Sequence, residues 1–487
     1  MASGRTVVPP AGGGAEPRLV VARLERIPIW SLPSLFVVVI GVGFLFTFFD
    51  IFDINVSFIQ TCGQIVTHCT PANSGQFLGW PVLLNLVGYV VGTLALSPLA
   101  DRWGRRDLLL VTMAITGLGS LWTAFTNDLT TFTLARFVTG IGIGADLAIV
   151  NTYINEVAPT RGRARYTSLI FIMSALGAFA GIWLGLLLTT APTPFPLGLP
   201  FALAGPTFVA GWRVMYGIGA LLAVTGVLLR FQLPESPRWL LTRGRTVEAA
   251  RVVGDMERRA ARRVALPEPA AGAQVEVSSE SGVRRNAFRA ILGEPRYLRR
   301  LLLLLATWFI AYVTVYSYAA GYTTALVSLH FAPPEAGLIA AIGALGFILC
   351  AVVAFLFGER LERKRWLPLA AVVTLAGAVI VGVGGQNLAT AFSGSIVIFF
   401  GFNLWVPMTY SWSTECFPTR ARTTGFALVD GIGHVGGGVG ILVIAPLIPV
   451  LGTLPALLLI TAFMVVASVI AQFGVNTRGR SLVSVSP

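Results

Sequence analysis

The stretch Asp101-Arg-Trp-Gly-Arg-Arg106 recurs as Glu359-Arg-Leu-Glu-Arg-Lys364, at an offset of 258 residues. A second stretch, Glu156-Val-Ala-Pro-Thr-Arg-Gly-Arg163, recurs as Glu415-Cys-Phe-Pro-Thr-Arg-Ala-Arg422, at an offset of 259 residues. Two independent repeats with nearly equal offsets indicate two homologous halves in one chain. Long apolar runs surround all four stretches, so the arrangement of those runs decides the fold.

The composition of the chain requires a lipid environment. Of 487 residues, 55% are hydrophobic and 12% are charged, and the mean hydropathy is +0.78. A soluble protein carries about 25% charged residues. The net charge of +13 does not indicate a nucleic-acid partner, because the arginines lie in short clusters between apolar runs and no zinc-finger spacing or RNA-binding motif occurs. Such clusters are typical of the cytoplasmic loops of membrane proteins.

Twelve apolar runs are long enough to cross about 30 Å of hydrocarbon, which takes about 20 helical residues. Backbone groups in lipid must find partners locally, so each run is predicted to be a helix. The runs are 32–59, 78–99, 107–126, 129–153, 166–190, 212–232, 299–327, 334–357, 367–386, 388–413, 423–447 and 453–474. The sequence therefore predicts an all-α membrane protein with twelve transmembrane helices in two pseudo-symmetric six-helix bundles.

Arginine and the single lysine are confined to every second connection between these runs. One set of connections holds all the clusters, with fourteen arginines over 234–300 alone. The alternate connections, near 60–77, 191–211, 328–333 and 448–452, hold none. Since positively charged loops stay in the cytoplasm, we expect a multi-pass protein of the plasma or inner membrane with both termini cytoplasmic.

The runs and connections divide the chain into five parts. We expect a cytoplasmic N-terminal tail, a first bundle, a cytoplasmic linker, a second bundle and a cytoplasmic tail, at 1–30, 31–233, 234–298, 299–474 and 475–487. Within the linker, 246–263 is predicted as an amphipathic surface helix and 265–283 as disordered. Two homologous bundles place a solute site near the membrane midplane between them.

Ionisable residues inside spans are costly, about 2.5–3.5 kcal/mol each on insertion scales, so each is a functional candidate. At about 1.5 Å per residue, Asp53 lies about 9 Å below the outer end of the first span. Arg136 lies at about 10 Å in the fourth span by the same measure. The spacing predicts an Asp53–Arg136 pair in which a proton on Asp53 frees Arg136 and lets the helices part. The alternative is a permanent brace between two helices.

Four further residues extend this set of intramembrane groups. Asp50 lies one helical turn from Asp53, and two close carboxylates favour the binding of a proton; a polar helix contact is the alternative. Asp146, Asp430 and His434 lie at similar inner depths and are expected to form an inner polar cluster or gate. Alternatively, Asp430 and His434 satisfy each other in helix packing.

Acids accompany the arginines of the cytoplasmic connections. Salt bridges among them would latch the inner side shut while the outer side is open, whereas topology signals alone explain the arginines but not the paired acids. Asp101 is expected to cap the start of the eleventh span, where an anion is favoured. The predicted gate residues are Asp101, Arg102, Arg105, Arg106, Glu156, Arg163, Glu235, Arg238, Glu359, Arg363, Glu415 and Arg422.

Other chemistry finds no support in the sequence. There is no Walker-A phosphate loop and no cluster of metal ligands, so we expect neither an enzyme nor a bound metal or cofactor. Cys62 and Cys69 flank one short outer loop, where either a disulfide or two free thiols is possible. We expect a monomer whose partners are a small-molecule substrate, protons and the lipid bilayer.

Three stretches of the sequence resemble motifs of the major facilitator superfamily. Asp101–Arg106 resembles the loop signature between helices 2 and 3 of that superfamily. The run Arg136-Phe-Val-Thr-Gly-Ile-Gly-Ile-Gly144, followed by Glu156 and Arg163, is similar to helix 4 of sugar porters. Pro234-Glu-Ser-Pro-Arg-Trp-Leu240 resembles the sugar-porter signature after helix 6. The resemblance implies alternating access and an Asp–Arg pair at the positions of Asp53 and Arg136.

The sequence departs from the sugar-porter pattern at the substrate site. Its fifth span has no glutamine, and its seventh offers tyrosines instead. Asp50, Asp53 and Gly144-Ala-Asp146 are similar to the phosphate–proton symporter branch, but Leu147 stands where that branch has tyrosine, and its helix 7 acid is missing. The stretch from Tyr410 to Thr424 is closer to the metabolite and organic-ion branch.

The sequence therefore predicts a secondary transporter of a small polar organic solute, a sugar or another metabolite, by proton-coupled symport. A facilitator or exchanger without protons, or an organic-ion or phosphate symporter, is the alternative. Four span acids against one arginine favour a neutral or cationic solute, and aromatic residues suit a polar metabolite, although they are also ordinary membrane packing. The predicted cavity residues are Asn85, Asp146, Asn151, Trp308, Tyr312, Tyr316, Asn403, Trp405, Tyr410, Asp430 and His434.

Overall fold

A computed structural model describes residues 17–157, 163–269, 288–418, 421–478 and 485–486. Within these ranges, eleven helices are long and apolar enough to cross a membrane, and a bent pair of helices supplies the twelfth crossing. The fold class predicted from the sequence is confirmed. Two helices outside the membrane set, Pro17–Glu25 and Thr246–Ala261, precede the first span and follow the sixth.

The spans are numbered in chain order. Spans 1 to 6 are Ser34–Phe52 with Ile54–Ile65, Ser74–Val91, Arg105–Ala124, Leu129–Val157, Arg163–Thr189 and Gly211–Arg230. Spans 7 to 12 are Pro295–Ala319 with Tyr322–Ser328, Pro333–Phe357, Trp366–Gly384, Leu388–Phe402 with Val406–Glu415, Arg422–Ile444 and Thr453–Gln472. The end that carries Cys62 and Cys69 is called the disulfide end below, and the end that carries the repeated arginine motifs is called the arginine end.

Three spans are broken, where unbroken runs were predicted. In span 1 the two helices meet at Asp53 and are bent by 45°. Span 7 breaks at Ala320 and Gly321, and span 10 breaks after Phe402. Breaks of this kind release backbone polar groups from the helical ladder, which membrane proteins tolerate where another part of the protein satisfies them.

The two bundles repeat the same packing. In the first, span 1 packs on span 5, span 2 on span 4, and span 3 on spans 4 and 6. In the second, span 7 packs on span 11, span 8 on span 10, and span 9 on spans 10 and 12. The bundles meet through spans 2 and 11 and through spans 5 and 8. Each contact maps onto its counterpart when six is added to the span number, as two homologous halves require.

Small residues allow the closest of these helix contacts. A Cβ atom added to Gly140 of span 4 would collide with the carbonyl oxygen of Asn85 in span 2, and one added to Gly144 would collide with that of Tyr89. The glycine run of span 4 therefore acts as a packing surface. Glycine-rich stretches can also form loops that bind nucleotides, but this run lies inside a spanning helix.

The N-terminal tail contains a helix that the sequence analysis did not predict. Pro17–Glu25 packs on the linker helix Thr246–Ala261, which lies within the predicted amphipathic stretch. The carboxylate of Glu257 accepts hydrogen bonds from Arg23 at 3.0 Å and from Arg26 at 2.8 Å. Of the linker segment predicted to be disordered, 270–283 lies outside the described residues.

Candidate transport site

The intramembrane arginine of span 4 pairs first with Asp50. Arg136 Nη1 lies 2.9 Å from Asp50 Oδ2, and Nη2 donates to the Asp50 carbonyl oxygen at 2.7 Å. Asp50 Oδ1 accepts a further hydrogen bond from Ser120 at 2.6 Å. The predicted Asp53–Arg136 pair is present at 3.8 Å, but Asp50, one turn away, is the closer partner, because an arginine side chain spans more than the single turn that separates the two acids.

Asp53 is the second, looser partner. Its Oδ1 lies 3.8 Å from Arg136 Nη1, too far for a hydrogen bond, and neither carboxylate oxygen has a hydrogen-bond partner in the part of the chain that the structure describes. The residue is fully buried at the bend of span 1. A buried carboxylate without hydrogen bonds is costly in its charged form. Asp53 therefore has the surroundings of a group that gains from binding a proton.

A second buried ion pair was missed in the sequence. Arg230, at the end of span 6, forms a two-pronged contact with Asp146 of span 4, with Nη2 at 2.9 Å from Oδ2 and Nη1 against Oδ1. Thr112 donates to the same carboxylate at 2.9 Å. Both charged side chains are buried, at 0% and 1% exposure. The signal was available, since Asp146 needed a counter-charge and Arg230 is an arginine inside an apolar run.

Asp430 belongs to a different group, between the bundles. Tyr89 of span 2 donates its hydroxyl to Asp430 Oδ2 at 2.6 Å, which joins the first bundle to span 11. His434 Nδ1 lies 2.6 Å from the Asp430 carbonyl oxygen and 3.6 Å from Oδ1. The predicted inner cluster of Asp146, Asp430 and His434 is thus wrong, because Asp146 bonds to Arg230 and Thr112 within the first bundle.

Aromatic rings surround the Asp430 group. We call the following six residues the aromatic cluster: Tyr89, Trp308, Tyr312, Trp405, Tyr410 and His434. The Trp308 ring centre lies 5.4 Å from that of Tyr312, 5.5 Å from that of Trp405 and 5.2 Å from that of Tyr410. The predicted cavity aromatics of spans 7 and 10 are therefore brought together, beside Tyr89, which the sequence analysis did not single out.

The three predicted cavity asparagines have different surroundings. Asn85 donates to the carbonyl oxygen of Arg136 at 2.8 Å, so its amide group serves the contact between spans 2 and 4 rather than a cavity. Asn403, at the break of span 10, is buried, and Asn151 is partly exposed. Tyr316 is buried on the same helix as Trp308 and Tyr312, with its ring 5.7 Å from that of Tyr312.

The disulfide end is joined across the two bundles by Asn55. Its Nδ2 donates to the carbonyl oxygens of Tyr318 at 3.1 Å and Ala319 at 2.6 Å, which the break in span 7 leaves without their helical partners. Thr323 donates back to Asn55 Oδ1 at 2.5 Å. These contacts link the bent span 1, two residues beyond Asp53, directly to the broken span 7.

The first arginine motif forms a network within its own bundle. Arg105 binds Glu156 at 3.0 Å and donates to the Ala100 carbonyl oxygen at 3.0 Å. Glu235 accepts the backbone N–H of Arg105 at 3.0 Å, in a turn that places Gly104 at φ +110° with no room for a Cβ atom beside that carboxylate. Burial raises the pKa of the Glu235 carboxyl, and backbone hydrogen bonds oppose the rise.

The second motif reproduces these contacts at the repeat offset. Arg363 binds Glu415 at 3.6 Å and points Nη1 at the Gly358 carbonyl oxygen at 3.4 Å. Lys364 donates to the Gly474 carbonyl oxygen at 2.7 Å after span 12. Arg106 donates to the carbonyl oxygen of Phe231 after span 6 in the same way, at 2.8 Å. The sequence repeat is therefore a repeat of interactions.

The remaining predicted gate residues make contacts of several kinds. Arg238 binds Glu25 of the N-terminal helix at 3.1 Å rather than a gate acid, because that helix packs against the linker. Arg102 is exposed, and Arg422 donates to the Thr414 carbonyl oxygen at 3.0 Å. Glu359 contacts Arg363 at 3.0 Å. The side chains of Asp101 and Arg163 lie outside the described part of the chain.

Cys62 and Cys69 form a disulfide, and Cys350 and Cys416 are buried free thiols. The described residues contain no group of three or more histidine, cysteine, aspartate or glutamate side chains that could hold a metal ion. The charged groups of the membrane region are thus arranged as ion pairs and hydrogen-bonded acids between helices.

Two six-helix bundles with paired charges inside the spans define a secondary transporter of the major facilitator type. Residues 35–486 match the family described as "Sugar (and other) transporter". The chain belongs to this family, and it is a multi-pass membrane transporter of a sugar or another metabolite.

Named relatives span several substrates. The chain is 27% identical to the niacin transporter NiaP of Acinetobacter baylyi over 96% of its own length and 99% of that protein. It is 29% identical to the 4-hydroxybenzoate transporter PcaK of Pseudomonas aeruginosa, over 74% and 76% of the two chains. The structure of the proton:xylose symporter XylE shares the fold with a TM-score of 0.70 at 19% identity, over 93% and 98%.

Proposed function

We propose that the protein is a proton-coupled symporter of a small organic solute that works by alternating access, with Asp53 as the proton carrier. The observation that carries the proposal is the state of Asp53, which is fully buried, has no hydrogen bond and lies 3.8 Å from Arg136. Removing its charge relieves a desolvation cost that the 3.8 Å contact with Arg136 offsets without a hydrogen bond.

Asp50 gives the arginine a partner in both protonation states. When Asp53 is charged, Arg136 is attracted to two carboxylates, that of Asp50 one turn before the bend in span 1 and that of Asp53 at the bend. When Asp53 takes a proton, Arg136 keeps its 2.9 Å contact with Asp50 alone. Protonation therefore changes the force across the bend without leaving a buried arginine unpaired.

The position of Asp53 connects this change to the disulfide end. Asn55, two residues further along span 1, holds the carbonyl oxygens that the break in span 7 exposes. A change of angle at Asp53 moves Asn55 relative to span 7. The proton site and the contact that closes the disulfide end therefore lie on one bent helix, as a coupled transporter needs.

The charged residues inside the spans limit the charge that the solute can carry. Arg136 and Arg230 are both held by aspartates, so neither is a spare cation for an anionic substrate such as phosphate. The named relatives carry aromatic compounds such as niacin and 4-hydroxybenzoate as well as D-xylose. These names support a small organic metabolite as the solute. They do not agree on its chemical class, for which the geometry of the aromatic cluster is the better guide.

The disulfide and the arginine motifs orient the protein in the membrane. The disulfide end faces outward, since disulfides persist in oxidising compartments and the arginine motifs belong in the cytoplasm. The Arg105 and Arg363 networks stabilise the inner ends of their own bundles. We propose that they also latch the bundles together when the outer side is open, in a monomer of the plasma or inner membrane with cytoplasmic termini.

One observation favours a facilitator that moves no protons. The Arg136–Asp50 contact is short and buried, as expected of a permanent brace between spans 1 and 4. In that case Asp53 would be a packing residue, and solute would run only down its own gradient.

Proton movement separates the two functions. In proteoliposomes with no proton gradient, adding transported solute outside a symporter makes the external medium more alkaline in proportion to uptake, and a proton ionophore abolishes this pH change. A facilitator takes up the solute with no pH change. Solute uptake without alkalinisation would contradict the proposal.

A further inference from the structure

The aromatic cluster is built by the sequence of span 11. A Cβ atom added to Gly433 would press on Trp308, and one added to Gly437 would collide with the ring of Tyr316. The glycines therefore leave room for the rings of span 7 to lie directly against span 11.

The cluster already holds a flat ring between two others. The His434 ring centre lies 4.3 Å from that of Tyr89, with an angle of 22°, and 4.2 Å from that of Tyr312, with an angle of 32°. One face of an imidazole has room for one stacked ring, so the tyrosines lie on opposite faces. Tyr89 belongs to the first bundle and Tyr312 to the second, so the stack joins the two bundles.

Two buried polar atoms beside this stack have no partner. Among the residues that the structure describes, Asp430 Oδ1 accepts no hydrogen bond and lies 3.6 Å from His434 Nδ1, although Oδ2 accepts one from Tyr89, and Trp308 Nε1 donates none. Asp430 is 2% exposed and Trp308 is fully buried. Buried polar groups in native proteins nearly always have partners, so unpartnered ones need an explanation. A bound solute that supplies a donor to Asp430 would explain the first.

The negative charge of Asp430 is not balanced by a nearby cation in the described part of the chain. Within the described residues, Arg136 and Arg230 are bound to aspartates of the first bundle, and the His434 Nδ1 atom is directed at the Asp430 carbonyl oxygen at 2.6 Å. The Asp430 carboxylate therefore has no close cation of its own. Aromatic faces attract cations through their negative quadrupole. Both features favour a positive charge on the solute and oppose a carboxylate.

We propose that the aromatic cluster with Asp430 is the solute site, and that its solute is a small planar heteroaromatic cation. The ring stacks on the aromatic cluster, and the positive charge lies beside Asp430. The inference rests on the proposed transport function but not on its proton coupling.

Binding to the purified full-length protein tests the proposal without transport. Isothermal titration would compare 1-methylpyridinium-3-carboxamide, pyridine-3-carboxamide, pyridine-3-carboxylate and D-glucose. We expect the cation to bind at least tenfold more tightly than the neutral amide, and we expect the carboxylate and glucose to bind more weakly still. Glucose or the carboxylate binding as tightly as the cation would overturn the assignment, as would a failure of the cation to bind.

Two variants separate charge from stacking. Asp430→Asn keeps an oxygen for the Tyr89 hydroxyl but removes the charge, so it should weaken the cation at least tenfold and the neutral amide less than threefold. Trp308→Leu should weaken both ring compounds. The matched control is Trp122→Leu, in span 3 with 44% of the side chain exposed, which should change neither. Equal losses of cation and amide in Asp430→Asn would contradict the role of charge.

The outcomes for this site and for proton coupling are distinguishable. Cation binding without proton-coupled uptake would leave the assignment intact and overturn symport. Proton-coupled uptake of glucose, with no cation binding, would overturn the assignment and leave symport intact.

Discussion

Asp50 Oδ2 lies 2.9 Å from Arg136 Nη1, and this buried contact ties span 1 to span 4 next to the bend at Asp53. The contact gives the two aspartates different tasks. Asp50 neutralises Arg136, and Asp53 is left as a buried acid without a hydrogen bond.

The first prediction concerns stability. Asp50→Asn should lower the free energy of unfolding by up to about 3–5 kcal/mol, because Arg136 loses its hydrogen-bonded carboxylate and keeps only the 3.8 Å contact with Asp53. Asp53→Asn should have a much smaller effect, since Arg136 keeps its closer partner. Thermal unfolding in detergent would measure both. Equal destabilisation by the two variants would show that the aspartates share the arginine.

The second prediction concerns the Arg230–Asp146 pair. Arg230→Leu should destabilise the protein by about 3–5 kcal/mol, and the double variant Arg230→Met/Asp146→Leu should recover most of the loss, because apolar pairs often replace buried ion pairs well. Arg245→Gln is the control, since its pair with Glu248 is about half exposed, and it should cost less than about 1 kcal/mol. A double variant that is less stable than Arg230→Leu would refute this account.

The third prediction concerns closure of the disulfide end. Asn55→Ala removes three hydrogen bonds between spans 1 and 7. A cysteine introduced at Ser317, which is buried in span 7, should then react several-fold faster with an impermeant thiol reagent added outside. Thr61→Ala, which loses only a bond within its own helix, is the control and should leave the rate unchanged. An unchanged rate in Asn55→Ala would mean that Asn55 does not hold the two bundles together.

The fourth prediction concerns orientation. Cysteine at Phe201, exposed in the loop before span 6, should react with the impermeant reagent in intact cells. Cysteine at Glu268, exposed in the linker, should react only after the membrane is permeabilised. The reverse pattern would invert the orientation proposed for the molecule.

The fold could be predicted because two independent features of the sequence, the apolar runs and the repeats, indicate the same architecture. Apolar length fixes the number of crossings, and the repeats near Asp101 and Glu359 fix the two halves. The breaks in spans 1, 7 and 10 could not be predicted, since each lies inside a run that is long and apolar enough to form one unbroken crossing. Tertiary contacts such as those of Asn55 stabilise a break that composition does not reveal.

The ion pairs were harder to predict for a geometric reason. A rise of about 1.5 Å per residue places Asp50 and Asp53 about 4.5 Å apart in depth, which is less than the reach of an arginine side chain. Depth alone therefore could not decide which acid Arg136 binds. Arg230 was missed because an arginine at the inner end of a span is also what the positive-inside rule produces. Only the fold shows that its side chain turns back toward Asp146.

The central claim is that Asp53 carries the coupled proton. The most direct measurement compares counterflow with gradient-driven uptake of the transported solute in proteoliposomes of wild type and Asp53→Asn. The amide stands in for the protonated acid, so counterflow should persist, while accumulation driven by a proton gradient should fall to the level of passive equilibration. Accumulation at the wild-type level in Asp53→Asn would contradict the claim, and loss of counterflow together with thermal stability would identify Asp53 as a structural brace.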